Sequence, residues 1–212
     1  MNFNKHFDLE GKHAVLSASS WRWLYDDVES LTQRLGGIYA PMIGTILHEV
    51  AYKHIKYRIK LNKYDKKNVM LELLTNGIPG LIIDTVDFDT MFETLMSYVN
   101  DGVGFKMEPE VVLKYSNNCF GTTDAIKFLE NDHFLRIHDY KSGVSTARVE
   151  QLLIYAALFC LEYKVKPTTI KSELRIYQNG NVMVHNPEAE ELISAMDVII
   201  NHDKFITNMK EV

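Results

Sequence analysis

Between Phe120 and Tyr155 the chain sets three charges on the inward side of two neighbouring strands, which severely restricts the folds it can adopt. The stretch FGTTDAIKFLENDHFLRIHDYKSGVSTARVEQLLIY reads as strand, polar turn at Glu130–Asp132, strand, Ser-Gly loop and then an apolar helix. Period-two alternation puts Asp124 on the face of Ile126 and Phe128. It puts Asp139 and Lys141 on the face of Leu135 and Ile137. An unpaired charge turned into a core costs on the order of several kcal/mol, so strands rarely carry one without a partner. A divalent metal held by both aspartates, with the lysine beside it, removes that cost.

The 212 residues, 46% hydrophobic, suit one domain spanning 1–212 with a sizeable core. The net charge of −5 excludes a globally basic nucleic-acid coat, so any DNA contact must come from a local patch. Cys119 and Cys160 are too few for a four-thiolate zinc site or iron–sulfur cluster. With two cysteines and no signal peptide, the chain is expected in a reducing cytoplasm. Its longest apolar run, Leu152–Leu161, is too short for a bilayer, so no membrane partner is expected.

Residues 1–16 show no clear element. Ser17, Ser19 or Ser20 can cap a helix beginning near Trp21, read first as a packing element. Gly36-Gly37 and Pro41 break the pattern, and a helix is expected from about Met42 to Leu61. His48, Ala51, Tyr52, Ile55 and Ile59 form its inner stripe. Lys53, Lys56, Arg58 and Lys60, followed by Lys63, Lys66 and Lys67, are a local basic excess and the best candidate for a phosphate-tracking surface. An ordinary solvated face is the alternative. The segment 63–105 reads as a helical insertion that walls or covers a DNA channel. Its acidic Asp84, Asp87, Asp89 and Glu93 are explained by a helix N-terminus.

Pro109–Tyr115 is expected as the first core strand. Glu110 on it is either a solvent-facing residue or a support for the site. After Lys141, the loop Ser142-Gly143-Val144-Ser145 can turn backbone N–H groups toward a phosphate, and a helix capped at Ser145 or Thr146 aims its positive end the same way. Gln151 and Tyr155 share a face of that helix. Arg148 is a candidate phosphate contact, with a plain surface arginine as the default. A strand at 168–177, a hairpin turn, a strand at 182–185 and a final helix after Asn186-Pro187 complete the chain.

Five ordered pieces resemble the PD-(D/E)xK nuclease superfamily, and its RecB-like and phage exonuclease branch in particular. They are S-A-S-S-W-R-W-L at Ser17–Leu24, G-T-I-L-His48-E, G-T-T-Asp124, H-Asp139-Y-Lys141-S-G and Gln151-xxx-Tyr155. Many members of that branch carry iron–sulfur cysteines, which this chain lacks. The resemblance implies a mixed α+β fold with a restriction-endonuclease-like core, a central mixed β-sheet flanked by helices. It implies Mg²⁺ or Mn²⁺ held by His48, Asp124, Asp139 and the backbone carbonyl of Tyr140, with Glu110 as a weaker candidate. Lys141 would stabilise the reacting phosphate, Gln151 and Tyr155 would orient the lysine or the DNA backbone, and Ser142 and Arg148 would touch DNA.

The expected activity is a metal-dependent deoxyribonuclease, foremost an exonuclease processing DNA ends in phage-type recombination or repair. Structure- or sequence-specific endonucleases, hydrolases of RNA or other phosphodiesters, and inactive DNA-binding modules are the alternatives. DNA, a homo-oligomeric partner copy and a recombination protein are the implied partners, in a host cytoplasm if the chain is phage-encoded.

Overall fold

The computed structural model describes residues 4–143 and 145–210. It has mixed α/β architecture, with a five-stranded sheet in the order β1 (Glu108–Lys114), β2 (Phe120–Leu129), β3 (Phe134–Lys141), β4 (Lys171–Gln178), β5 (Asn181–His185). β1, β2 and β3 run as an antiparallel meander, β3 and β4 are parallel, and β5 returns antiparallel to β4. Helix α5 (Glu150–Tyr163) makes the crossover that a parallel pair requires.

Both faces of the sheet are covered, so the strands alternate between two cores. Ala125, Tyr140 and Tyr177 point to one side. They meet α1 (Val28–Lys56), the short helices α2 (Lys66–Thr75) and α3 (Gly80–Thr85), and the longer α4 (Phe88–Gly104). Ile126, Leu135, Ile137, Leu174 and Ile176 point to the other, against α5 and α6 (Ala189–Lys210). The segment 63–105 is helical apart from short connections. Its last helix is a layer of the first core, with Leu95, Tyr98 and Val99 buried. Asp87 caps α4 by accepting the N–H of Thr90, as the acidic run there anticipates.

Three boundaries differ from the sequence expectation. The residues expected to start a helix at Trp21 form 3-10 turns over Ala18–Tyr25, kinked at Ser20, with Ser17 as the N-cap. The expected break at Gly36-Gly37 and Pro41 does not occur, and α1 runs through all three. A helical proline clashes with the carbonyl four residues before it, and here that residue is Gly37, whose backbone can give way. Burial of Ile43, Leu47, Val50, Ala51 and Ile55 then holds the helix against weak local propensity. At its other end α1 stops at Lys56, short of Leu61, because Arg58 adopts a left-handed φ of 60°. Ile59 therefore leaves the inner stripe and is exposed.

Helices α1 and α4 approach closely at Gly102, where an added Cβ would lie 2.8 Å from Cδ1 and 3.0 Å from Cγ1 of the fully buried Ile55. Alanine should gain about 1 kcal/mol in helix propensity yet lose about 1–3 kcal/mol to overpacking. Gly102→Ala is expected to lower the urea midpoint, and Ile55→Val in that background to recover part of the loss. A higher midpoint for Gly102→Ala would mean the two helices sit farther apart than described.

Candidate functional site

The β2–β3 ladder pairs Ala125 with His138 and stops there, at the position where Asp124 and Asp139 face each other. Beyond it a side chain replaces the ladder, as the Tyr140 N–H donates to Asp124 Oδ2 at 2.9 Å. Asp139 is 2% exposed. Lys141 Nζ sits 3.1 Å from its Oδ1, which accepts a hydrogen bond, and 3.0 Å from its Oδ2. The Oδ2 contact lacks hydrogen-bonding alignment, which leaves a buried carboxylate oxygen without a directed partner.

On the other side of Lys141, Nζ donates to Gln151 Oε1 at 3.0 Å, and Gln151 Nε2 donates to the Tyr155 hydroxyl at 3.3 Å. The spacing of four residues on α5 puts these two on one face. Gln151 is exposed rather than buried. Two glycines let these parts meet. A Cβ on Gly121 would be 2.8 Å from Tyr155 Cε1, and one on Gly44 would be 3.0 Å from Ser142 Oγ. So α5 lies tightly against the start of β2, and α1 against the loop after β3.

His48 enters from α1. Its Nδ1 is 3.5 Å from Asp124 Oδ2, and its ring lies edge-on to Tyr140. One ligand atom each from His48, Glu110 and Asp124 fall within 4.8 Å of one another. The β1–β2 register sets Glu110 opposite Asp124, and Glu110 has a left-handed φ of 53°. That conformation costs a non-glycine residue on the order of 1–2 kcal/mol. Simple alternation could not place this side chain, because the backbone departs from the strand pattern at that residue.

Burial is the largest influence on Asp124, Asp139 and His48. It pushes the Asp124 and Asp139 carboxyls above the usual carboxylate range, Asp139 further through its neighbour Asp124, while Lys141 pulls both down. Burial also lowers the His48 imidazole, against the pull of Asp139 and Glu110, which favours the neutral ring with a free lone pair. A neutral imidazole, desolvated carboxylates and an undirected carboxylate oxygen fit a divalent cation. Such an ion would draw both carboxyls back to their charged forms. Hard oxygens with one nitrogen suit Mg²⁺ or Mn²⁺.

The remaining candidates are placed as follows. Lys53 pairs with Glu49 at 2.9 Å and Glu72 at 3.6 Å, and Arg58 with Glu108 at 2.8 Å. Lys66 pairs with Asp89. Lys56 donates to the Tyr52 hydroxyl at 2.7 Å, and Lys60 and Arg148 are exposed. Val144 lies outside the described residues. The expected Ser145 or Thr146 cap is not used, since α5 begins at Glu150 with Val149 as its N-cap. The loop is held instead by a residue that no motif singles out. Gln178, at the end of β4 opposite Lys141, accepts the Ala147 N–H at 3.1 Å and donates to the carbonyls of Gly143 at 2.5 Å and Ser145 at 2.7 Å. An open cleft of about 780 Å³ runs beside the site. Its wall is Pro41, Gly44, Thr45, His48, Glu49 and Tyr52 on one face of α1, with Glu110 opposite.

A family profile described as protein of unknown function (DUF2800) matches residues 13–179, a span that contains every residue named at this site. No curated protein and no solved structure matches the chain. No helix among the described residues is long and apolar enough to cross a membrane.

The raised carboxyls fix the sign of a pH effect. Between the ordinary carboxylate range near pH 4 and the raised folded values, the folded state binds protons that the unfolded state has released. Stability of the metal-free protein therefore falls as pH rises through that window. Asp124→Asn, which keeps an acceptor for the Tyr140 N–H, should raise the metal-free Tm at pH 8, with the gain shrinking toward pH 4. Mn²⁺ at one hundred times its Kd should stabilise the wild type by about 2.7 kcal/mol and the Asn variant far less. A variant no more stable at pH 8, or shifted by Mn²⁺ as much as wild type, would remove the mutual charge penalty or the metal assignment respectively.

Proposed function

We propose that this chain, which belongs to the DUF2800 family, is a metal-dependent deoxyribonuclease, foremost an exonuclease acting at DNA ends. One observation carries the reading. Lys141 is held between Asp139 and Gln151 beside the His48, Glu110 and Asp124 donors, of which His48 and Glu110 line an open cleft. Hydrolysis of a phosphodiester needs a nucleophilic water, neutralised phosphoryl charge and help for the leaving oxygen. His48, Glu110, Asp124, Asp139 and the Tyr140 carbonyl would hold Mg²⁺ or Mn²⁺. When bound, that ion supplies a lowered water pKa and draws charge from the phosphate.

The chain's own groups then divide the rest of the work. Lys141 presents an ammonium to the scissile phosphate and to the negative charge that develops there. Gln151 fixes the direction of that ammonium through its carbonyl oxygen, and Tyr155 fixes Gln151. Asp139 anchors the lysine from below. Gln178 sets the backbone of the loop that follows, so that Ser142 faces α1 at Gly44. Preference for ends over internal bonds rests on the resemblance to the phage exonuclease branch.

The reading is tested by digestion of end-labelled linear DNA, single- and double-stranded, beside closed circles and an RNA control, with Mg²⁺, Mn²⁺ or EDTA. Metal-dependent loss of linear DNA alone, reduced at least a thousandfold by Lys141→Ala, is expected. Cutting of circles would make the protein an endonuclease, and wild-type rates in Lys141→Ala would end the mechanism. Gly121→Ala should also lower kcat, by roughly tenfold or more, by pushing Tyr155 off Gln151. Because it acts through that ring, combining it with Tyr155→Ala should cost no more than Tyr155→Ala alone. Additive losses would place the role of Gly121 elsewhere.

A further inference from the structure

We infer that the cleft along α1 is a guide for a single DNA strand, with Tyr52 as the platform on which a nucleobase stacks one helical turn beyond His48. This deepens the nuclease reading and rests on it. The lining residues recur at helical spacing from Pro41 to Tyr52, so the cleft follows one face of α1. The eleven rises between them, at about 1.5 Å each, span about 16 Å.

The next position on the same face is Lys56. Its ammonium donates to the Tyr52 hydroxyl at 2.7 Å and lies 5.9 Å from the ring centre of Tyr57, which is 65% exposed. Aromatic rings interleaved with a cation, beginning at the candidate metal donors and running outward, are the arrangement that holds unpaired bases and their backbone.

Charge points the same way. Duplex binding without sequence readout depends on many uncompensated cations against phosphate. Here Lys53 and Arg58 are already paired with carboxylates, and Glu49 and Glu110 line the cleft itself. Of the cations from Lys53 to Arg58, only Lys56 lacks a carboxylate partner among the described residues. Stacking, which every base can supply, joins the Lys56 ammonium as the attraction at this end of the cleft.

The test measures equilibrium binding with catalysis switched off. Lys141→Ala protein with Ca²⁺ is titrated with fluorescent oligo-dT and with a blunt hairpin duplex, across a salt series. Oligo-dT should bind at least tenfold tighter than the hairpin, with a shallow dependence of log K on log salt. Adding Tyr52→Ala should weaken oligo-dT binding about tenfold, while Tyr52→Phe, which keeps the ring, should bind like the parent. The Mn²⁺-induced rise in Tm should survive in both, showing the donor cluster intact. Equal or tighter hairpin binding, a Tyr52→Ala variant that binds like the parent, or no binding of either probe would overturn the guide. Because no step of this test requires cleavage, its result is separate from that of the digestion.

Discussion

The hydrogen bond from the Tyr140 N–H to Asp124 holds the site and the sheet in one arrangement. At that point the β2–β3 ladder ends, and the strands would otherwise leave a backbone donor unpaired beside two buried carboxyls. By accepting it, Asp124 closes the sheet with a side chain and is fixed within reach of His48 from one layer. Asp139, across from it, is fixed by Lys141, which Gln151 holds from the other layer. The two cores do not simply pack on the sheet. Each sends one helix, α1 and α5, to the same opening between strands, and glycines at Gly44 and Gly121 set how near they come.

Much of this was readable from residue types and spacing. Strands β1 to β3, the polar turn after β2, the hairpin between β4 and β5 and the helix carrying Gln151 and Tyr155 follow from alternation and turn residues. The inward direction of Asp124, Asp139 and Lys141 follows from the same alternation. What escaped has specific causes. The continuity of α1 depends on burial across the sheet, which outweighs the local cost of Gly36, Gly37 and Pro41. Glu110 was ambiguous because its left-handed backbone breaks the alternation used to place it. Gln178 escaped because its partners are backbone groups of a loop more than thirty residues earlier, a relation created only when β4 lies parallel to β3.

The basic run after Tyr52 shows the same limit from another side. Counted along the sequence, Lys53, Lys56 and Arg58 look like an electrostatic footprint. In space two of the three face carboxylates from elsewhere in the chain, Glu72 and Glu108, and Glu49 from the preceding turn. Exposed pairs of this kind add little stability, typically below about 1 kcal/mol, yet they lower the local field that a phosphate backbone would meet. A patch's sign is therefore a property of the folded surface. The sequence count gives only its upper bound.

Several unfavourable features gather at one place: two desolvated carboxyls facing each other, a glutamate with left-handed backbone, and a buried oxygen without a directed partner. Structures keep such features only where the surroundings over-determine them, and here a packed core on each side of the sheet does so. Replacing Asp139 and Lys141 by apolar residues would cost a purely structural sheet nothing and would relieve the buried charge. A scaffold or inert binding module gives no physical reason for these residues to occur together. The proposed cation at the carboxylates and phosphate at the lysine would give one, because the same desolvation that penalises the cluster would strengthen its hold on both.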